Sequence, residues 1–428
     1  MKNHFLILML GYIFSACVSQ EKQPVVAASQ WVNPTHLNHL YEEVKMGEDT
    51  VGAIWIYCEA PDFHHVGDSD EGFTCVDDVA RALVFYCRFY QETPSPEVLR
   101  KIKSLTAFVL KMQAENGYFY NFLLPGGQIN TTHQNSTAIA SWWSWRALWG
   151  LSEVGLLRNT ELADLQKQVK PAMDILVRNM QGICPSSQDT IVYDGVVLPK
   201  CLGECGADQT SVMLLGLANF YQTNPSDSLK NLLLSLGDQL LMMQKGGEGD
   251  LPFGAFMSWR NNWHGWGNTQ AYALLRAGKA MQHQPFIDAG LAEVRNFYPQ
   301  VLKLGFLREF KLLKTDSLFS MQDVKQLPQI AYDISPMVLA SATAFELTQD
   351  TIFAKQTGQL ATWFFGNNPA KKPMYDPASG RCLDGINSPT ELNQNSGAES
   401  TIEALLALQA VEKMAAAKAE VEQFLKSK

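Results

Sequence analysis

The 428-residue sequence contains no run of Lys and Arg, no linker rich in Gly, Ser or Pro, and little alternation of apolar with polar residues. Nucleic-acid binding needs a concentrated basic face, and the net charge is −9, so a nucleic-acid partner is excluded. Without a linker, nothing divides the chain into several domains. The scarce alternation argues against a sheet protein and leaves a helical one.

The N-terminal residues have the pattern of an export signal. A short apolar run from Phe5 to Phe14 follows Lys2, and it is too short to span a bilayer as a mature helix. The next residues, ending at Cys17, resemble a lipobox, which implies cleavage before Cys17 and lipid on its thiol. We predict a signal peptide over residues 1–16, a polar tether over 17–30 and one catalytic domain over 31–428. The expected location is the bacterial cell envelope, with the membrane reached only through the lipid; a plain secretory peptide is the alternative.

The other cysteines give no clear metal or disulfide pattern. Cys201 and Cys205 could pair in an oxidising compartment, but spacing alone does not decide it. No second Cys/His pair stands at zinc-like spacing, so we predict no metal and no cofactor. Seven cysteines follow Cys17, an odd number that leaves at least one unpaired within the chain: Cys58, Cys75, Cys87, Cys184, Cys201, Cys205 and Cys382.

A repeat organises the chain. Six segments begin with a polar cluster and continue into an apolar helix rich in small residues, and successive starts lie roughly 60 to 70 residues apart. Amphipathic helices with one polar face alternate with them. The pattern predicts an all-α (α/α)6 toroid of alternating outer and inner helices, expected to be a monomer; an open α-solenoid is the alternative. The inner segments start near Asp77, Asn135, Asp208, Asn268, Asp333 and Glu399, and the outer helices are predicted over residues 34–46, 97–113, 161–180, 227–244, 286–304 and 352–365.

This alternation, over almost the whole mature chain, resembles the six-hairpin glycosidase superfamily. The C-terminal segments TWFFGNNP, YDPASGRCLDG and NQNSGAEST are similar to the end of family 9 glycoside hydrolases. That resemblance implies that Glu399 is the catalytic acid and that Asp77 with Asp78 holds the water. The aspartates are adjacent here, within CVDD, and the His-Arg motif of family 9 is missing, so the chain is at most a distant cousin. GFTCVDDVARAL also resembles a motif of toroid domains in bacterial carbohydrate-processing proteins.

The polar groups at the inner-helix heads are the candidate catalysts, because a closed ring would collect them at one rim. Asp and Asn are also good N-cap residues, so a purely structural role is the alternative for Asp208, Asn268 and Asp333. Asp77 with Asp78 needs a second explanation, since one residue suffices as a cap. Glycosidic cleavage uses two carboxyl groups. We assign Asp77 or Asp78 as base, because a helix N-terminus favours a carboxylate. We assign Glu399 as acid and expect burial or a like charge nearby to keep it protonated near neutral pH.

Aromatic and polar side chains near these heads would bind the sugar. Trp263 and Trp266 are preferred, because WRNNWHGWGN is too polar and glycine-rich to be buried whole. The function predicted is inverting hydrolysis of an oligo- or polysaccharide. A polysaccharide lyase or unsaturated-uronyl hydrolase and a lipid-anchored glycan-binding protein are the alternatives. The predicted substrate-binding residues are Glu71, Tyr118, Asn135, Trp142, Asp208, Trp263, His264, Trp266, Asn268, Asp333 and Asp384.

Overall fold

The computed structural model describes residues 30–183, 189–200 and 206–428. The predicted signal peptide, Cys17, almost all of the tether, Cys184, Cys201 and Cys205 lie outside these residues. The described helices are α1 (Thr35–Leu40), α2 (Val76–Glu92), α3 (Pro96–Lys111), α4 (Trp142–Leu156), α5 (Ala163–Met180), α6 (Ala207–Thr223), α7 (Asp227–Leu241), α8 (Gln270–Met281), α9 (Gln284–Asn296), α10 (Tyr298–Lys303), α11 (Ala331–Thr348), α12 (Thr351–Ala361), α13 (Ala398–Glu412) and α14 (Ala415–Lys426), with short 3-10 turns over Thr160–Leu162 and Thr362–Phe365.

Six helices form an inner ring, and the fold is an (α/α)6 toroid. In chain order they are α2, α4, α6, α8, α11 and α13; each packs on the next, and α13 packs on α2, which closes the ring. Each inner helix is followed by an outer helix that packs against it. The predicted fold class is confirmed. No described helix is long and apolar enough to cross a membrane.

Close approach of the inner helices depends on small residues. A Cβ placed on Gly150 of α4 would lie 2.9 Å from the Ala80 carbonyl oxygen on α2. A Cβ on Gly216 of α6 would lie 2.6 Å from Leu148 Cγ on α4. Because these helices touch neighbours all round, their bodies are apolar and almost fully buried.

Two predicted helices, one outer and one inner, differ from the structure. Only Thr35–Leu40 of the first is helical, since Tyr41–Met46 pairs as a strand with Asp49–Ile54 around Gly47, which takes a positive φ of 66°. The sixth outer position is instead filled by Ala415–Lys426, after the last inner helix. The inner helix predicted near Asn135 begins later, at Trp142, because the preceding polar residues form turns.

Short antiparallel hairpins connect the helices and build the rim. Two described sheets have three strands, and one of them joins Asn262–His264 to a hairpin formed by Glu309–Thr315 and Leu318–Lys325. The described strands are β1 (Tyr41–Met46), β2 (Asp49–Ile54), β3 (Tyr57–Glu59), β4 (His64–Val66), β5 (Thr74–Cys75), β6 (Phe122–Leu124), β7 (Gln128–Ile129), β8 (Thr190–Tyr193), β9 (Val196–Pro199), β10 (Gln244–Lys245), β11 (Ala255–Phe256), β12 (Asn262–His264), β13 (Glu309–Thr315), β14 (Leu318–Lys325), β15 (Tyr375–Asp376), β16 (Arg381–Cys382), β17 (Gly385–Ser388) and β18 (Glu391–Asn393).

Candidate active site

The first turns of α2 and α13 meet through one buried arginine. Arg81 Nη1 lies 2.8 Å from Asp78 Oδ1, and Arg81 Nη2 lies 2.9 Å from Glu399 Oε2. Glu403, one turn below Glu399, places Oε1 3.6 Å from Arg81 Nε, an ionic contact without a hydrogen bond. Three carboxyl groups therefore share a single guanidinium. This cluster of Asp78, Arg81, Glu399 and Glu403 is called the Arg81 cluster below.

A second buried arginine, Arg146 of α4, faces the other aspartate of the pair. Arg146 Nε lies 3.3 Å from Asp77 Oδ1, and Arg146 Nη2 donates to the Tyr332 hydroxyl of α11. The Tyr332 ring is shared, because the Arg146 guanidinium carbon lies 4.9 Å from its centroid and that of Arg81 lies 5.1 Å away. Tyr332 thus separates the two cations and ties the heads of three inner helices together.

The carboxyl groups differ in their access to solvent. The Asp78 side chain is 6% exposed, whereas those of Asp77 and Glu399 are 25% and 41% exposed. All three line one cavity of about 410 Å³, which we call the catalytic cavity. Its walls include Tyr57, Glu71, Asn135 and Trp142, so three of the predicted substrate-binding residues lie beside the predicted catalysts.

Burial and charge crowding hold a proton inside the Arg81 cluster. Burial, opposed by Arg81 and reinforced by Glu399 and Asp77, raises the pKa of Asp78 to about 7. Burial also raises the pKa of Glu403. With a pKa near 7, Asp78 is the carboxyl group of the Arg81 cluster that keeps a proton near neutral pH. The expected burial of Glu399 is wrong, because its side chain is accessible and Asp78 is the buried carboxyl group instead.

A second cavity of about 530 Å³ adjoins the first, and Trp142 lines both. In this cavity, called the second cavity below, His264 Nε2 lies 3.2 Å from Asp208 Oδ2 and Nδ1 lies 2.7 Å from the Trp266 carbonyl oxygen. A carbonyl oxygen only accepts, so Nδ1 carries a proton. The His264 and Trp266 rings stack with centroids 3.9 Å apart. Burial raises the pKa of Asp208, and His264 opposes that shift.

Three further residues predicted to bind substrate are buried or half-buried, and one of them, Trp263, lines the second cavity. Their role in substrate binding stays a prediction. Trp263 is fully buried with its ring stacked on Phe310, and Asn268 is fully buried with neither amide atom hydrogen-bonded. Tyr118 is half-buried with its ring edge-on to Trp145.

Two predicted carboxylates are structural. Asp333 is fully buried; its Oδ2 accepts from the Ile330 amide at the start of α11, and its Oδ1 accepts from Arg308. Asp384 Oδ1 accepts from the Gly397 amide at 2.8 Å and the Ser400 hydroxyl at 2.6 Å, so it anchors the turn that carries Glu399. The cap alternative is thus correct for Asp333.

Other residues of the site were not predicted. Tyr332, Glu403 and Tyr57 were missed, although Glu403 follows Glu399 by four residues and therefore faces the same way on a helix. Tyr332 directly precedes Asp333 at the start of α11, where the sequence draws attention only to the carboxylate. Among the described residues, no group of three His, Cys, Asp or Glu side chains is placed to hold a metal ion. The described cysteines Cys58, Cys75, Cys87 and Cys382 are buried and free.

Comparisons with known proteins identify the fold. No protein-family profile and no curated protein sequence matches the chain. A sugar epimerase from a ruminal bacterium is similar in structure, with a TM-score of 0.63, 11% identity and coverage of 90% of this chain and 96% of that chain. Cellobiose 2-epimerase from Bacillus thermoamylovorans has a TM-score of 0.61, 12% identity and coverage of 90% and 96%.

A third similar structure is an α-1,6-mannanase, GH76A, of Salegentibacter sp. in complex with α-1,6-mannotetrose. Its TM-score is 0.51, with 12% identity and coverage of 88% of this chain and 95% of that chain. The chain has the toroidal fold of the six-hairpin glycosidase type. The resemblance of its C-terminal end to family 9 glycoside hydrolases stays a prediction.

Proposed function

We propose that this protein is a glycan-processing enzyme and, within that class, a glycoside hydrolase that works in the catalytic cavity. The observation that carries the proposal is the placement of two accessible carboxyl groups, Asp77 and Glu399, in one cavity, each beside a buried arginine. Hydrolysis of a glycosidic bond needs one group to protonate the leaving oxygen and another to activate water.

Glu399 is the better candidate for the acid. It is the exposed member of the Arg81 cluster, and it lines the catalytic cavity where a glycosidic oxygen would lie. In this proposal Glu399 protonates the leaving oxygen, while Asp78 and Glu403, both paired with Arg81, hold that guanidinium beside it.

Asp77 is the better candidate for the base. It lies in the first turn of α2, where unpaired amides favour a negative charge, and Arg146 lies beside it. Asp78 has a different task, because it is buried and bonded to Arg81. We therefore propose Asp78 as a positioning residue for Arg81 and Glu399. Inversion at the anomeric carbon remains part of the proposal, as expected for water held by a carboxylate opposite the acid.

The mannanase offers a parallel. The mannanase structure is that of an inactive variant in which two consecutive aspartates are replaced by alanine. The present chain also has two consecutive aspartates, Asp77 and Asp78, at the head of an inner helix. This parallel supports a role for the pair in glycan hydrolysis.

The other predicted functions have less support. A lyase or unsaturated-uronyl hydrolase needs cations for a uronate, yet Arg81 and Arg146 are buried against carboxylates. A protein that only binds glycans has no need to bring carboxyl groups together in one cavity. Here Glu399 and Asp78 instead meet on one side chain.

One observation favours a second candidate function, epimerisation or isomerisation of a free sugar. His264 is paired with Asp208 at the rim, and such a pair suits proton transfer at a carbon next to a carbonyl group. Two of the similar structures are named as sugar epimerases. In that case His264→Gln would abolish activity, and the product would be an isomeric sugar without new reducing ends.

The test is a panel of oligo- and polysaccharides assayed for new reducing ends, unsaturated uronate absorbance and isomeric products. We expect reducing ends from the wild type, and losses in kcat of about 10²- to 10⁴-fold for Glu399→Gln and Asp77→Asn. Azide should restore turnover in Asp77→Asn only, since it replaces a base or nucleophile. Wild-type activity in both variants would contradict the assignment.

The envelope location belongs to the same proposal. Lipid attachment at Cys17 would hold the enzyme at the outer membrane or the periplasmic face, in contact with imported or surface glycans. Replacing Cys17 by Ser should move the protein from the membrane fraction to the soluble periplasmic fraction. An unchanged distribution would contradict the lipid anchor and leave the assignment of the active site unaffected.

A further inference from the structure

We infer that the substrate is an uncharged oligosaccharide long enough to occupy both the catalytic cavity and the second cavity, crossing Trp142 between them. This inference rests on the proposed function, because it takes Asp77 and Glu399 to mark the site of cleavage. It adds the substrate class and the direction in which the saccharide extends from the cleavage site.

The two cavities share Trp142 as a lining residue. This side chain is half-buried and lines both spaces, and its ring centroid lies 6.0 Å from that of Trp266 at an angle of 47°. Their volumes of about 410 and 530 Å³ are each in the range of a ligand site. A saccharide held at the catalytic carboxyl groups therefore reaches the second cavity by passing along an indole.

The second cavity has a rigid aromatic wall. One face of Trp266 is covered by His264, with the planes only 10° apart, and His264 is fixed by both ring nitrogens. Trp259, 39% exposed, also lines this cavity, and the Arg260 guanidinium lies 4.2 Å from its ring centroid. Each indole thus has one supported face that keeps its ring in place for a sugar ring. The Arg308 guanidinium lies 6.0 Å from the Trp266 centroid and is itself paired with Asp333.

The charges of both cavities disfavour an anionic chain. In the second cavity Lys311 pairs with Asp194 at 2.7 Å and Lys325 pairs with Glu309 at 2.6 Å. His264 pairs with Asp208, and Asp323 adds a further carboxylate to the lining.

The catalytic cavity is also acidic. Glu71, Asp77, Asp78 and Glu399 line it with Arg81 as the lining cation. Arg260 stacks on Trp259 and, in the part of the chain that the structure describes, does not line either cavity. A uronate or sulfate group would therefore meet carboxylates rather than a free cation.

The experiment measures oligosaccharide binding to the Glu399→Gln variant by calorimetry, so turnover is not required. The probes are gluco-, manno-, galacto- and xylo-oligosaccharides from disaccharide to hexasaccharide, with oligogalacturonates of equal length for comparison. We expect at least one neutral series to gain affinity with chain length and every oligogalacturonate to bind more weakly. Equal or tighter binding of oligogalacturonates, or no binding of any neutral series, would overturn the inference.

A second variant tests whether the saccharide passes through the second cavity. Adding Trp266→Ala should weaken binding of the longer neutral probes by about three- to tenfold and leave the disaccharide unchanged. Trp266→Phe should recover part of the loss, and Ile352→Ala, at a 57% exposed position on outer helix α12, is the matched control. An equal loss for all lengths would refute the second cavity as an extension. If the neutral series binds in this way but the wild type cleaves none, hydrolysis fails and the inferred substrate class stands.

Discussion

The proton retained by the Arg81 cluster makes a prediction about stability that needs no substrate. Replacing Asp78 by Asn removes one of the three carboxyl groups, keeps a side-chain oxygen for Arg81 and fits the same space. The buried negative charge of the cluster falls by one. We expect Asp78→Asn to be more stable than the wild type above neutral pH, although an ion pair has been lost.

The magnitude follows from the pKa of Asp78. Burial is the main cause that raises this pKa from 3.8 to about 7. Between these values the folded protein holds a proton that the unfolded chain has released, so stability is fully present below pH 3.8 and is lost as pH rises through 7. At about 1.4 kcal/mol per pKa unit, the loss is at most about 4 kcal/mol. Coupling to Glu403 and Glu399 spreads it over a wider pH range.

The assay is urea denaturation of the wild type and Asp78→Asn at several pH values from about 4 to about 8. The difference in unfolding free energy should be near zero at the acid end and approach at most about 4 kcal/mol in favour of the variant at the alkaline end. Asp316→Asn, at an exposed hairpin turn, is the control and should show no trend. A difference independent of pH, or a variant less stable at pH 8, would refute the reasoning.

Three further predictions concern other parts of the ring. Burial raises the pKa of Glu293 from 4.5 to about 8, so stability falls by up to about 5 kcal/mol as pH rises between these values. Glu293→Gln should therefore be more stable than the wild type in urea at pH 8, and equal stability would contradict this. Gly216→Ala should lower stability by about 1–3 kcal/mol in thermal melts, since a Cβ would lie 2.6 Å from Leu148 Cγ. Gly155→Ala is the control and should not lower stability, because the nearest atom to its Cβ would be 3.8 Å away. Asp384→Ala should lower stability by about 1 kcal/mol through loss of helix capping, and it should lower kcat more than it raises KM. Asp384→Asn should restore stability and kcat, because Asn keeps the oxygen that accepts from Gly397. A change in KM alone would argue against a role of Asp384 in positioning Glu399.

The helical repeat could be predicted from the sequence because each inner helix must be apolar on every side. That requirement leaves a local pattern of small and apolar residues, so α2, α6, α8, α11 and α13 begin close to their predicted starts. The fourth helix was different. The polar segment before Trp142 bonds to itself, with Ser136 donating to the Asn130 carbonyl oxygen at 2.6 Å, and such local bonds compete with helix formation.

The acidic rim could also be predicted, but its detailed chemistry could not. Asp78 and Arg81 are three residues apart on one helix, a spacing that places them together. Glu399 reaches Arg81 only because α13 closes the ring against α2, a contact between residues more than 300 positions apart in the chain. Burial decides which carboxyl keeps its proton, and burial at this point depends on that closure. The reversed exposure of Asp78 and Glu399 therefore had no local signal.

The segment with Trp263 and Trp266 shows why composition alone does not decide which of two indoles is buried. Trp263 and His264 are consecutive residues of β12, and side chains alternate between the two faces of a strand. Trp263 pairs with Phe310 in the core, so its neighbour must point to the rim, where His264 meets Asp208 and supports Trp266. The strand exists only because Glu309–Thr315 pairs with it from across a hairpin. Burial of Trp263 therefore orients His264, which in turn stacks on Trp266. The polar, glycine-rich sequence around them shapes the cavity and does not leave both indoles exposed.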